Sequence, residues 1–368
     1  MQKRPILAFD ARAHATGIGR YSEQLVMALR DSLPGVELWC IAHPHHGKKL
    51  AAYADRIIPS SAAMYSVATQ TTIPGLVQGA TLLHCPHYDI PVLYPRCISV
   101  TIHDVTHLLD PAFRNTLKSR IFARSLLKLA VAKARRVITI SEYSKRMILE
   151  QLGGSETKIS VIHRYASPVF APMARDEAKE IARRSLDLHR DFFLFVGSPK
   201  PHKNLPVLFE AFARLQSDHP EVELVIIGKD KKNEPSLRAL AVRLKIDQRL
   251  RWIDSVSDEM LRACYSAAEA TILPSRQEGF GLPVLESMAC GTPAICANAA
   301  SMPEVLGDCG LLFDPSSPEE CKTQLLRILE SPQDREELRR KGIARARHFD
   351  AGRAVAEHTQ LFSGLLGG

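Results

Sequence analysis

Glu278-Gly279-Phe280-Gly281-Leu282-Pro283-Val284-Leu285-Glu286 is a glycine loop running into a helix, bracketed by two carboxylates eight positions apart. Pro283 has no N–H to lose in a first helical turn and a φ already suited to it, which predicts a helix starting there. Gly291 and Pro293 end that helix, so Glu278 falls on the loop and Glu286 in the first turn. Gly279 and Gly281 allow close backbone approach to a ligand. The helix N-terminus offers unpaired N–H groups and partial positive charge to a diphosphate. Two acceptors at this separation suit hydroxyls, such as those of a sugar and a ribose, better than they suit phosphates. The competing reading is an ordinary glutamate on a helix dipole beside a solvent-facing loop glutamate.

Outward from this stretch, short β-rich runs alternate with helical patterns along the whole chain, which argues for parallel sheets with crossover helices. In the first half the strand candidates are 6–10, 36–42, 81–85, 98–103, 137–141 and 159–163; in the second, 192–197, 222–228, 250–254, 270–274, 293–297 and 310–313. Between them lies the proline-punctuated segment 164–172, which has no periodicity. The expected fold class is therefore α/β with two Rossmann-like, doubly wound domains facing across a cleft. The first spans residues 1–168 and the second 169–350, and a last helix, 351–368, returns to the first. Ligands of such sheets sit beyond the carboxyl ends of the strands. His103-Asp104, the Gly197 loop and the Glu278 loop all follow strand candidates.

Gly197-Ser198-Pro199-Lys200-Pro201-His202-Lys203-Asn204 separates a strand from a helix. Asn204 can cap that helix, which places Lys203 at its N-terminus, where a lysine can neutralise charge on a departing diphosphate. Lys200 offers a second charge, and a solvated basic turn is the plain alternative. The early loop Gly17-Ile18-Gly19-Arg20-Tyr21 precedes another helix and can lay N–H groups against a phosphate. It matches a dinucleotide fingerprint poorly, with Ser22 at the third glycine and no ribose-binding carboxylate after the next strand. His103 is a candidate hydrogen-bond donor or proton carrier. His84, His87 and His107 form no helical metal-binding pair and read as structural, and His43, His45 and His46 as a polar loop. Ser301-Met302-Pro303-Glu304 reads as a capping box. No Asp-x-Asp occurs, so no metal site and no metal cofactor are expected.

The 368 residues, 45% hydrophobic and 24% charged, suit two folded domains of ordinary size. There is no long uncharged apolar run and no signal-peptide pattern, which makes a cytoplasmic protein the expectation. Eight scattered cysteines without a C-x-x-C pair indicate reduced, buried thiols. The net charge of +8 is concentrated: residues 111–140 hold eight basic side chains and no acidic one. Interleaved with Arg114, Lys118, Arg120, Arg124, Lys128, Lys133, Arg135 and Arg136 are Leu117, Ile121, Leu126, Leu127, Leu129 and Val131. This makes 114–136 a basic amphipathic helix, either packed on its own sheet or resting on an anionic membrane surface. The stretch lacks interleaved aromatics at base-stacking density, and no nucleic-acid partner is expected.

In this order the motifs resemble the family-4 retaining glycosyltransferases with the GT-B fold. The resemblance rests on Gly17 to Tyr21, His103-Asp104, Gly197 to Asn204, Val256-Ser257-Asp258, Glu278 to Glu286 with Gly291-Thr292-Pro293, and Pro303-Glu304-Val305 before Gly310. It implies a nucleotide-sugar donor bound mainly by the second domain and a saccharide acceptor, lipid-linked, bound by the first. It further implies that Glu278 and His103 meet the donor sugar, Glu286 the ribose, Lys203 the diphosphate and Val256 the base edge. Gly17 and Gly19 lie over the phosphates, and Ser198, Lys200, Gly279, Phe280, Gly281 and Leu282 complete the donor site. The family's frequent arginine after the glycine is replaced by Ser198, which leaves open whether Lys200 or His202 supplies that charge. The Gly-Ile-Gly-Arg-Tyr loop is similar to that of mannosyl- and rhamnosyltransferases of bacterial surface-polysaccharide assembly, implying GDP-mannose as donor. A cytoplasmic enzyme at the inner face of the membrane is the corresponding location. A Rossmann oxidoreductase and a non-catalytic membrane scaffold are the rival classes; neither accounts for the Glu278 to Glu286 stretch.

Overall fold

The computed structural model describes residues 4–13, 17–110 and 117–367. It divides into two compact units, one made of the stretches ending at Leu108 and His163 together with the chain from Ala351, the other of Arg164–Asp350 with Leu109 and Asp110. The first unit holds strands β1 (Ile6–Asp10), β2 (Glu37–Ala42), β3 (Arg56–Pro59), β4 (Leu82–Cys85), β5 (Cys97–Thr101), β6 (Arg136–Thr139) and β7 (Ile159–Val161). The second holds β8 (Phe192–Val196), β9 (Glu223–Ile227), β10 (Leu250–Ile253), β11 (Thr271–Leu273), β12 (Ala294–Ala297) and β13 (Leu311–Phe313).

Every pairing is parallel, in the orders β3-β2-β1-β4-β5-β6-β7 and β10-β9-β8-β11-β12-β13. Parallel strands are covered on both faces, which is why β1, β8 and β9 read as continuous apolar runs. Leu7, Phe9, Phe193, Leu194, Phe195, Leu224 and Ile226 are wholly buried. Each sheet reverses its winding once, between β1 and β4 and between β8 and β11, and crevices for ligands open at such points.

All twelve expected strands are present, and β3 is an additional one. It is four residues long, begins with an arginine and ends with a proline, so its sequence carries no strand pattern. An edge strand tolerates both: Arg56 lies 4.6 Å over the Trp39 ring, and Pro59 need not donate to a further neighbour. Likewise His43 to His46 do not form a loop; Pro44 opens the helix Pro44–Leu50.

The closing helix Ala351–Leu366 groups with the first unit and packs on the helix Gly17–Ser32. His358 Nδ1 donates to the Ala354 carbonyl at 2.7 Å, so its Nε2 accepts from the Tyr21 hydroxyl at 3.0 Å. Phe362 is buried against the His84 ring, 5.0 Å between centroids. Burial drives the His84 imidazole well below its usual pKa and keeps it neutral. We expect Tyr21→Phe to lower unfolding free energy by about 1–2 kcal/mol, read as a lower denaturant midpoint; an unchanged midpoint would mean that this bond is neutral overall.

Of the basic helix, Leu117–Lys133 is helical, while Arg114 lies outside the described residues. Its apolar side chains divide between two directions. Leu127, Ala130 and Val131 are buried, whereas Ile121, Phe122 and Leu129 are 57%, 58% and 50% exposed. No helix among the described residues is long and apolar enough to cross a membrane. All eight cysteines are free thiols, buried except for half-buried Cys97.

Candidate active site

The winding reversal of the second sheet brings the loop after β8 beside the loop after β11, and these carry Lys203 and Glu278. The first loop leaves β8 at Gly197, whose φ is +138° and whose N–H donates to the Ile227 carbonyl at 2.9 Å. Gly228, at the end of β9, has φ +142°, and a Cβ built on it would stand 2.1 Å from the Gly197 carbonyl oxygen. Only glycine lets the two strand ends touch in this way. Pro201–Lys203 forms one 3₁₀ turn, and Asn204 follows in the left-handed region before the helix Leu205–Leu215. Asn204 occupies the cap position without capping. Its amide instead donates to the Pro315 carbonyl at 2.8 Å, because the left-handed backbone turns the side chain away from the helix's free N–H groups.

Lys203 Nζ is ion-paired with Glu278 Oε1, and each side chain is only 14% exposed. Ser275 Oγ donates to the same carboxylate oxygen at 3.4 Å, and the Arg276 N–H bonds the His202 carbonyl at 2.9 Å, lacing the two loops together. Ser301 does not form the expected capping box. Its hydroxyl donates to the Glu278 carbonyl at 3.0 Å and so fixes the backbone of the glutamate, while Ser301 itself is wholly buried. Gly281 takes φ +89° beneath Met302, whose Cε would lie 2.4 Å from any Cβ. Gly279 and Phe280 are buried, the Phe280 ring edge-on to Phe349 at 5.4 Å between centroids, so this loop presents backbone rather than the aromatic ring.

The following helix starts at Leu282, with Pro283 in its first turn, and Glu286 consequently sits in the second turn rather than the first. Glu286 is 7% exposed and accepts a hydrogen bond from the buried Tyr265 hydroxyl at 2.8 Å. Burial, with the Glu286 carboxylate beside it, pushes the Tyr265 phenol well above its usual range, so it stays protonated and remains a donor. Tyr265 and Ser301 were not legible as site residues. One lies in an ordinary helical pattern, and the other looked like a local cap.

The other expected contacts are less directed. Ser198 Oγ donates to the Lys229 carbonyl at 3.1 Å, and Lys200 is exposed while His202 is buried. Val256 is half-buried, packed against the cluster containing Phe170, Leu194 and Tyr265. In the first unit, His103 is half-buried, with Nε2 donating to the Pro86 carbonyl at 3.1 Å and its ring edge-on to Tyr21. Gly17 and Gly19 open the helix Gly17–Ser32, Gly17 exposed with open space around its Cβ position and Gly19 buried.

Comparison with known proteins places the chain by sequence and fold. Residues 176–346, most of the second unit, match the family model described as glycosyl transferases group 1. The chain is 28% identical to O-antigen chain mannosyltransferase B of Escherichia coli, over 91% of this chain and 92% of that protein. It is 26% identical to O-antigen chain mannosyltransferase RfbU of Salmonella typhimurium, over 86% and 88%. Among solved structures, Anabaena HepE in complex with UDP-glucose superposes with a TM-score of 0.79 at 16% identity, over 98% of this chain and 99% of that one. Sucrose-phosphate synthase from Thermosynechococcus elongatus gives 0.78 at 19% identity, over 99% and 100%. The fold class is the GT-B type of two doubly wound α/β units, and residues 176–346 carry a glycosyl transferases group 1 domain.

Proposed function

We propose that this chain is a glycosyltransferase that transfers mannose from GDP-mannose to a saccharide acceptor, lipid-linked, in bacterial surface-polysaccharide assembly, with retention of anomeric configuration. The observation that carries the reading is the Lys203–Glu278 pair at the winding reversal of the second sheet. The mannosyltransferase relatives, matched over most of their length, support the choice of sugar. A donor entering this site exchanges the pair's mutual neutralisation for two new contacts. The diphosphate oxygens take the Lys203 ammonium, and Glu278 is released to accept hydrogen bonds from sugar hydroxyls.

Glycosyl transfer requires charge on the departing diphosphate to be stabilised and the acceptor hydroxyl to be positioned. Lys203 supplies the first as a fixed cation in a mostly dehydrated position, and the backbone of the Glu278 to Leu282 loop faces the same charge. The acceptor attacks the face from which the leaving group departs, and the diphosphate takes its proton. No protein nucleophile is invoked. Glu286, oriented by Tyr265, holds the ribose. This chemistry uses no resident metal.

GDP-mannose is expected to raise the melting temperature more than UDP-glucose, ADP-glucose or dTDP-sugars, by about 2.7 kcal/mol of stabilisation at a hundredfold excess over Kd. Mannosyl transfer should persist in EDTA, and proton NMR of the product should show the donor's anomeric configuration. A melting shift with UDP-glucose alone would replace the donor, and an inverted product would remove the retaining mechanism.

The exposed Ile121, Phe122 and Leu129 beside Lys118, Arg120, Arg124 and Lys128 support peripheral docking on an anionic leaflet, where a lipid-linked acceptor is met. Binding to anionic liposomes should weaken with salt. Absent or salt-insensitive binding would remove the membrane from the proposal.

A further inference from the structure

The first unit has a concave surface at the amino ends of β5, β6 and β7. This edge is opposite the one where open α/β sheets take their ligands. It is a groove of about 1370 Å³. The three strands are parallel neighbours, so the residues that lead into them emerge side by side. Arg96 precedes β5, Arg135 and Arg136 enter β6, Lys158 precedes β7, and Lys133 ends the adjoining helix Leu117–Lys133; all five cations line the groove. Glu357 is the one carboxylate on the lining, and it is bonded to Arg353 Nε at 2.9 Å.

Two of the five cations are held by carbonyls, Lys158 by Ala132 at 2.7 Å and Arg136 by Thr157. Among the described residues no carboxylate or carbonyl accepts a hydrogen bond from the Arg96, Lys133 or Arg135 side chains. Burial, and then the neighbouring Arg135, pushes the Lys158 ammonium below its usual pKa, as expected where like charges are held together. The Ser155 and Thr157 hydroxyls, 2.8 Å apart, add neutral donors. Leu361 and Leu365 of the closing helix and Ile98 of β5 supply an apolar side.

We propose that this groove is a binding site for a phosphomonoester or diphosphate group joined to an apolar moiety. Three cations without acceptors, on rigid strand starts, match a multiply charged phosphate, since charge-assisted hydrogen bonds to phosphate are the strongest that arginine makes. The apolar side accommodates the attached hydrocarbon. The same phosphate chemistry is available from a soluble anion and from a lipid headgroup, and two experimental arms separate these sources.

In the first arm, inorganic pyrophosphate is titrated calorimetrically into the intact protein, its R96Q/R135Q variant, an R340Q/R347Q variant with the same loss of charge on exposed residues of the second unit, and K203Q. In the second arm, the same proteins are sedimented with phosphatidylcholine vesicles containing phosphatidic acid or, at equal surface charge, phosphatidylserine. R96Q/R135Q is expected to lose at least about tenfold in pyrophosphate affinity, or its preference for phosphatidic acid, or both, with R340Q/R347Q unaffected. Loss in the vesicle arm alone assigns a lipid headgroup, and loss in the pyrophosphate arm alone assigns a soluble anion. Wild-type behaviour of R96Q/R135Q in both arms, whatever K203Q does to pyrophosphate binding, or a loss in R340Q/R347Q equal to that in R96Q/R135Q, would overturn the site.

Discussion

Lys203→Ala is expected to reduce kcat/KM for glycosyl transfer by roughly 10²–10³-fold or more, the scale seen when a preorganised electrostatic group is removed from a transition state. Glu278→Ala should fall as far, for a different reason. In the proposed reaction Lys203 acts on the leaving diphosphate, whereas Glu278, ion-paired with Lys203 before the donor arrives, orients the sugar. Both side chains are only 14% exposed, so either truncation leaves its partner as a poorly hydrated lone charge. The double variant should therefore be no worse than the worse single variant, because groups acting as one unit are strongly non-additive. Far-ultraviolet circular dichroism should be unchanged. Wild-type-like turnover in either single variant would show that the chemistry lies elsewhere in the chain.

Gly228→Ala should be the most damaging single-methyl change around this site. The added Cβ would stand 2.1 Å from the Gly197 carbonyl oxygen and 3.2 Å from the Ser198 nitrogen, at a φ of +142°. Those obstructing atoms are backbone, so no rotamer change can relieve the overlap. A loss of about 3 kcal/mol or more is expected, read as a melting temperature lower by on the order of 10 °C. Because the atoms that must shift begin the turn to Lys203, donor KM should rise in whatever protein still folds. Gly17→Ala is the contrasting case. Open space surrounds that position, so stability should be retained, while weaker donor binding would place Gly17 against the phosphates. A Gly228→Ala protein as stable as wild type would mean that the strand ends can part freely.

The second sheet was legible because each of its strands is buried on both faces, which leaves an unbroken apolar run such as Phe192 to Val196. The edge strand β3 was hidden, since an edge imposes no such demand on Arg56 or Pro59. Within the site, Lys203 and Glu278 could be named because charged side chains on loops that follow strands stand at the ligand edge of an open α/β sheet. Their ion pair across 75 positions could not. Ser301 and Asn204 were misread for one reason: both residue types favour caps locally, and both instead spend their hydrogen bonds on distant carbonyls, those of Glu278 and Pro315. Placing Glu286 one turn too early came from taking Pro283 as the first helical residue, when Leu282 precedes it.

The return of Ala351–Leu366 to the first unit carries a consequence for biosynthesis. The ribosome makes both sheets' strands before Asp350, and all of the second unit's strands in the one stretch Arg164–Asp350, so that unit can fold as it emerges, while the first unit waits for its last structural piece. At typical elongation rates the delay between His163 and the partner of Tyr21 is on the order of ten seconds or more. Until then the face of the helix Gly17–Ser32 around Tyr21, and the His84 ring that Phe362 will cover, remain uncovered. Premature termination soon after Asp350 would thus release a finished second unit tethered to an unfinished, sticky first one.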